Sequence, residues 1–270
     1  MIVELEQTEF YKCKDLLNEQ GQLEPKATME GKNGDRIFVD DRSAPTSGFI
    51  WLGSDNGFIF IGHAENEAFN SELHDFFNTV IKVDTKNTSF EAIGNHSKWN
   101  STFEEVFGEN MKHYNQRVYE LHKDDGRTLE EVQIEQGYVV VKITKHLLND
   151  SAYENIEFLH SKILEFWTSL DDFISDGVGY SVIYENEIVS VCFSGVVAGS
   201  VHGIDIETLK AHQGKKLAQK VAHAFVEECL ANGITPYWDC MEINRASVSV
   251  AENLGFKNTF NYVWYSIPFK

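Results

Sequence analysis

The sequence predicts an α+β, mixed α/β chain in two parts. A mixed sheet flanked by helices is expected over 126–270, preceded by a smaller α/β domain over 1–125. Three observations carry this. In the second half, β-branched and alternating runs interleave with runs of helical period, in the order helix, three strands, long helix, strand, helix, strand. In the first half, the apolar runs Gly48–Leu52 and Phe58–Gly62 flank Ser54-Asp55-Asn56-Gly57, whose Asn-Gly dipeptide favours a tight hairpin. Between the halves, His122-Lys123-Asp124-Asp125-Gly126 is the most polar break in the chain.

Taken in order, Phe10, Cys13, Leu16 and Leu17 recur at helical spacing, and a polar stretch from Asn18 to Asp35 follows. After the hairpin, Asn66–Val80 and Thr102–Phe107 read as helices and Arg117–Leu121 as a strand. Tyr138–Ile143 is a β-branched run, hence a strand. Ile163, Phe166, Trp167, Leu170, Phe173 and Ile174 repeat every three or four residues and predict one amphipathic helix, stopped at Asp176-Gly177. Tyr180–Tyr184 and Ile188–Val197 pair across Glu185-Asn186-Glu187, and His202–Leu209 alternates as a third strand. Lys215–Asn232 is the long helix, ended by Gly233 in the usual left-handed role. Pro236–Met241 is a short strand, Ala246–Leu254 a helix closed by Gly255, and Val263–Ile267 the last strand. Three antiparallel strands feeding one βαβ crossover give a mixed sheet.

With 270 residues the chain is long enough for two modest domains with their own cores. Its 23 Lys and Arg against 42 Asp and Glu leave a net charge of −19, which repels phosphate backbones and attracts cations. Nucleic acid is therefore not an expected partner. Cys13, Cys192, Cys229 and Cys240 form no CxxC pair and read as reduced, buried thiols, and no metal is expected. The start, MIVELEQTEF, has neither a basic n-region nor an apolar h-region, and no apolar run approaches membrane-spanning length. A cytoplasmic protein that does not engage a membrane is expected.

Two segments carry chemistry. At Thr208-Leu209-Lys210-Ala211-His212-Gln213-Gly214-Lys215-Lys216-Leu217-Ala218 a strand meets a long helix through a loop with one glycine. Free N–H groups at a helix start cradle anions. Lys210, Lys215, Lys216 and Lys220 gather there in a chain otherwise strongly acidic, although cations at a helix start oppose its dipole. A bound anion resolves both oddities; lysines reaching out into solvent is the plainer alternative. In the second segment, from Tyr237 to Phe256, a strand leads through a polar loop to a helix near Ser247, where Asn244 or Ser247 is suited to cap.

These two segments resemble the GNAT superfamily of acetyltransferases. Gln213–Ala218 is similar to its acetyl-CoA motif, Arg/Gln-x-x-Gly-x-Gly/Ala, and Asn244-x-x-Ser247 through Leu254-Gly255-Phe256 to its next motif. Within the superfamily, residues 176–256 look most like the bacterial group that includes zwittermicin A resistance acetyltransferases. The sequence departs from the pattern in two places. Lys216 stands where the motif has its middle glycine, and Val250-Ala251 stand where many members carry a tyrosine that protonates the leaving thiolate.

The resemblance implies direct transfer of an acetyl group from acetyl-CoA, a co-substrate, to a primary amine of a small molecule, an amine antibiotic among the acceptors. It assigns the cofactor to Gln213, Gly214, Lys215, Lys216, Leu217, Ala218, Asn244 and Ser247, and an oxyanion-binding N–H to Thr208 or Leu209. For the base, Glu207 and Asp205 share one strand face just ahead of the expected acetyl position, and His202 is a third candidate. A solvated strand face is the bland alternative for all three. Asp239 is a further carboxylate able to meet a cationic substrate, and Trp238 reads as core. The two departures favour a different reading, a non-catalytic GNAT-like module that binds CoA or a partner. The first half holds no motif. A lid over the substrate, a dimerisation surface making a homodimer, and a degenerate copy of the same fold are all open to it.

Overall fold

The computed structural model describes residues 1–31, 34–53, 57–108, 110–122 and 132–270. The expected hairpin turn at 54–56 and the expected domain boundary at 125/126 lie outside the described residues. The chain forms two compact units. The first is Met1–Arg117 with Met241–Ile243 and Phe260–Lys270; the second is Val118–Cys240 with Asn244–Thr259. The first unit is the smaller, as expected, though only slightly, and neither is a continuous run of chain.

The first unit begins with β1 (Val3–Leu5), a 3-10 helix over Gln7–Leu16, and α1 (Leu23–Met29). Phe10 and Cys13 are its buried residues, three apart, which suits three residues per turn. Then come β2 (Arg36–Val39), β3 (Ser47–Trp51), β4 (Gly57–Gly62) and α2 (Glu67–Phe76), which runs through a π-helical turn into α3 (Lys82–Thr85). β5 (Ser89–Gly94), α4 (Trp99–Phe107) and β6 (Lys112–Glu120) follow. The strands β1, β2 and β5 and helix α1 carry no clean period and were not foreseen. β1 to β4 pair antiparallel in order, and β5 lies parallel to β4. The end of the chain supplies the next strand, with Trp264–Pro268 antiparallel to Ile93–Ser89. Apolar clusters cover both faces of this sheet, one rich in phenylalanine under α2 and α4, the other under the 3-10 helix.

The second unit runs β7 (Tyr138–Lys142), α5 (Lys145–Leu148), α6 (Ile156–Leu164), α7 (Leu170–Asp176), β8 (Gly179–Tyr184), β9 (Glu187–Ala198) and β10 (Val201–Thr208). After α8 (Leu217–Ala231), β11 (Thr235–Met241) and α9 (Arg245–Asn253) comes β12 (Lys257–Pro268), which ends the chain's regular structure. β7 to β10 pair antiparallel and β11 lies parallel to β10. The elements follow the expected order, except that the expected last strand, Val263–Ile267, falls in the first unit and pairs there with β5. The single helix expected across 163–174 is instead two. It breaks at Glu165–Ser169 because Ser169 caps α7 through its side chain and the Trp167 indole N–H donates to the Ser194 carbonyl at 2.7 Å. One apolar cluster joins α8 and α9 to the sheet, and a second joins α5 to α7 to its other face. All four cysteines are buried and free.

Along the chain, β1 to β6 and β7 to β12 repeat one order: a strand, helical turns, three antiparallel strands, a helix, a parallel strand, a helix, and a strand. They differ where the parallel pair ends. In the first unit β4 and β5 stay paired up to Gly94, and the Asn95 N–H still reaches the Phe60 carbonyl at 2.8 Å. In the second unit pairing of β10 with β11 covers only Val201–Gly203 with Thr235–Tyr237, and both strands continue beyond it. They splay apart, and the V-shaped opening expected between 202–209 and 236–241 is present.

Candidate active site

The opening is a cleft of about 700 Å³. β10 lines it with Ile206, Glu207 and Thr208, and β11 with Trp238. The loop and first turn of α8 contribute His212, Gln213, Gly214, Lys216, Leu217, Ala218 and Gln219. From α9 come Ala246, Ser247, Ser249, Val250 and Asn253, with Asn244 at its start.

The start of α8 is left open by its own sequence. Its cap, Lys216, makes no side-chain capping bond, so the first-turn N–H groups carry only what the cleft brings them. Lys216 takes φ +62°, the left-handed conformation that a glycine would adopt without cost. The motif's missing glycine is thus present as a backbone shape, imposed on a lysine. Its neighbour Gly214 also has positive φ, +78°, with nothing within 4 Å of a Cβ built there, so the loop keeps an open wall.

The corresponding place in the first unit is capped and opens on a smaller cavity, about 170 Å³. Asn66 caps α2, accepting from the Phe69 N–H at 3.2 Å, and its amide donates to Asp40 at 2.9 Å. Asp40 in turn accepts from the Thr46 and Ser47 N–H groups. With Glu67 in the first turn and no lysine there, that helix start is capped and acidic.

The ladder separates Thr208 from Leu209, the two residues expected to offer an oxyanion-binding N–H. The Leu209 N–H already donates to the Val189 carbonyl at 2.9 Å. Alternate residues of an antiparallel strand bond the same neighbour, so Thr208 turns its N–H and C=O the other way, to the open side. Its carbonyl accepts from Gln213 Nε2 at 3.0 Å, consistent with that orientation. Leu209 is therefore spent on the sheet, and the Thr208 N–H faces the cleft.

Four residues expected at the site fall outside the lining. Leu209 is one. Lys215 is drawn away to Tyr138, whose hydroxyl accepts from its ammonium at 2.6 Å beneath a cation–π contact. His202 is buried at the closed end of the splay, paired with Pro236, its Nδ1 2.8 Å from Ser194 Oγ. Asp205 sits behind the cleft on the α6 side of β10, where Ile204 and Ile206 pack the other way into the α8 core. Of the three candidate bases, Glu207 alone lines the cleft. Asp239 does not line it either.

Asp205 and Glu207 meet a lysine that the sequence did not single out. Lys162 of α6 donates to Glu165 at 2.7 Å and lies 3.1 Å from Glu207. Burial works against its ammonium, but hydrogen bonds to the two glutamates outweigh that and raise its pKa. Asp205 Oδ2 is sealed from solvent without a hydrogen-bond partner. Burial pushes its carboxyl up to about 6, against the pull of Lys162 and with help from Glu165 and Glu207.

On α9, Asn244 is the cap, accepting from the Ser247 N–H at 3.2 Å. Ser247 Oγ accepts from the Trp238 indole at 2.9 Å, so this buried aromatic also presents an edge to the cleft. Ser249, Val250 and Asn253 were not foreseen as lining. The signal was available: with Ala246 they repeat at helical spacing, on the face opposite buried Val248 and Ala251. Val250 places a methyl-bearing side chain at the expected tyrosine position.

A family model described as GNAT acetyltransferase matches residues 15–265. The chain belongs to the GNAT acetyltransferase family. As a GNAT protein it is an acyltransferase, which sets aside the reading of a non-catalytic module. It is 29% identical over 231 residues to an uncharacterized N-acetyltransferase, YdfB, of Bacillus subtilis, covering 85% of this chain and 84% of that one. A GCN5-related N-acetyltransferase-like protein from Streptococcus suis shares its fold with a TM-score of 0.71 at 18% identity, over 96% of this chain and 98% of that one. A tandem GNAT protein from the clavulanic acid biosynthesis pathway does so with a TM-score of 0.66 at 12% identity, over 99% and 98%. GNAT architecture thus spans both units. Among the described residues no helix is long and apolar enough to cross a membrane, and no group of three or more His, Cys, Asp and Glu is placed to hold a metal ion.

Proposed function

We propose that the chain transfers an acetyl group directly from acetyl-CoA to the primary amine of a small molecule. The observation that carries this is the uncapped start of α8, opening into one cleft with Glu207 and the outward-facing amide of Thr208. The amides of Leu217, Ala218 and Gln219, with Lys216 beside them, are suited to a pyrophosphate. The Thr208 N–H is suited to the thioester oxygen as it gains charge, a role worth about 2.7–4 kcal/mol per donor. Glu207 takes the proton from the attacking amine, directly or through water, and Lys162 holds that carboxylate in place. With a valine at position 250, the thiolate leaves without a tyrosine donor. Holding both reactants in the cleft supplies the rest, roughly 7–11 kcal/mol for well-oriented pairs.

The acidic net charge of −19 favours a cationic acceptor over nucleic acid. The likeness of residues 176–256 to zwittermicin A resistance acetyltransferases supports an amine-bearing antibiotic as that acceptor, in a bacterial cytoplasm. The first unit is a copy of the same fold that has lost its cradle. The test is thiol release from acetyl-CoA against a panel of amines, with thermal shift by acetyl-CoA alone. Release with an amine and a rise in Tm support the reading; no shift at millimolar acetyl-CoA rejects it.

A further inference from the structure

We propose that the first unit carries a second ligand site, an uncharged cavity that takes a neutral, hydroxyl- and amide-rich small molecule on the scale of a simple sugar. The cavity measures about 350 Å³, within the range of small-ligand pockets. It opens among the turn after the 3-10 helix, the end of β5, the start of α4, and strands β6 and β12. Seven of its thirteen lining residues are Asn or Gln, and none is Asp, Glu, Lys or Arg. In a chain where 24% of residues are charged, that lining stands apart.

One wall is fixed by the amides themselves. Asn18 donates its N–H to Asn95 Oδ1 at 2.6 Å and its side-chain amide to the Asn95 carbonyl at 3.1 Å. Asn95 donates to Gln22 Oε1 at 2.9 Å, and Gln22 to the Gly94 carbonyl at 3.2 Å. A Cβ at Gly21 would lie 2.3 Å from Asn95 Nδ2, so the turn is locked against the end of β5. Beyond this wall, Ser97 and Asn100 line the cavity with side chains that make no hydrogen bond among the described residues. Phe260 and Tyr262, two apart on β12, set their rings 6.2 Å apart and 35° from parallel as an apolar floor.

Amides and hydroxyls offer donors and acceptors alike, and aromatic rings accept the apolar face of a ring compound. A charged ligand would be desolvated there without a counter-charge. The cavity is no second acetylation site, because in this unit β4 and β5 do not splay and the start of α2 is capped by Asn66, itself held by Asp40.

The test is calorimetric titration of the full chain with a panel of neutral monosaccharides, N-acetylglucosamine as reference, beside glucosamine and glucuronate as its cationic and anionic counterparts. Saturable binding of a neutral member is expected, at least tenfold tighter than either charged sugar. It should weaken tenfold or more in Asn100→Ala and in Tyr262→Ala, while the thermal shift given by acetyl-CoA stays unchanged. Should Tyr262→Ala fail to fold, Asn100→Ala with Ser97→Ala decides. Absence of saturable binding by every neutral sugar, binding indifferent to these variants, or displacement by acetyl-CoA would each overturn the proposal.

Discussion

Replacing Lys216 by glycine separates what its backbone does from what its side chain does. Lys216 sits at φ +62°, ψ +16°, where a Cβ costs about 1–2 kcal/mol. Glycine removes that strain but loosens the unfolded chain by about 0.4–1 kcal/mol. The difference leaves Lys216→Gly about 0.5–1 kcal/mol more stable, or about 1–4 °C in Tm for a chain of this size. Lys216→Ala keeps the Cβ and the strain, so it is expected to melt with the parent. The exposed ammonium adds a screened contact to the pyrophosphate. Both variants should therefore lose acetyl-CoA affinity by about two- to fivefold at low salt, the loss shrinking as salt rises. Differential scanning calorimetry without ligand, then with acetyl-CoA, reads both effects. If Lys216→Gly melts at or below Lys216→Ala, the left-handed strain is not there and the argument for a glycine-like cradle falls with it.

Glu207→Gln is expected to lower turnover by about 10²–10⁴ with acetyl-CoA affinity unchanged, and raised pH should recover part of it; full activity at neutral pH in a steady-state assay rules the base role out. Asp205 is held near 6, above its ordinary 3.8, so the folded state binds a proton more tightly than the unfolded one between those values. Its contribution to stability falls as pH rises through that window and is unfavourable at pH 7. Asp205→Asn should then stabilise the protein by about 1–3 kcal/mol at pH 7 and by little at pH 4, as denaturant titrations at both pH values would show. Lys162→Met should lower turnover by freeing the Glu207 carboxylate that its ammonium holds at 3.1 Å, whereas Lys162→Arg should keep most of it, as steady-state assays of both variants would show. Acetyl-CoA should bind once per chain, since the start of α2 is capped and acidic; a calorimetric stoichiometry of two would contradict that.

Much of the site was legible in the order of residues. The Gln213–Ala218 loop between an alternating strand and a long periodic helix, and Asn244 three residues ahead of Ser247, are local patterns. Helix starts, caps and strand alternation depend on neighbours within a few positions, so composition at those spacings determines them. The splay of β10 from β11 depends instead on hydrogen bonds that stop after Gly203 and Tyr237, which no period records. The same holds for Lys215 turning to Tyr138 across 77 residues, for Leu209 spending its N–H on Val189, and for Lys162 reaching Glu207. Asp205 and Glu207 share a strand face by period alone, yet only the packing of α6 decided that one is sealed and the other opens on the cleft. The first half's likeness in element order was illegible because the start of α2 is capped by Asn66, itself held by Asp40, where the second half has its Gln213–Ala218 loop. Its repeated strand order survives only in the pairing. Sequence determined most strands and helices of the second half and the loop where an anion is expected; tertiary structure decided which polar groups remain unspent, because a hydrogen bond or a buried charge is settled by neighbours distant along the chain.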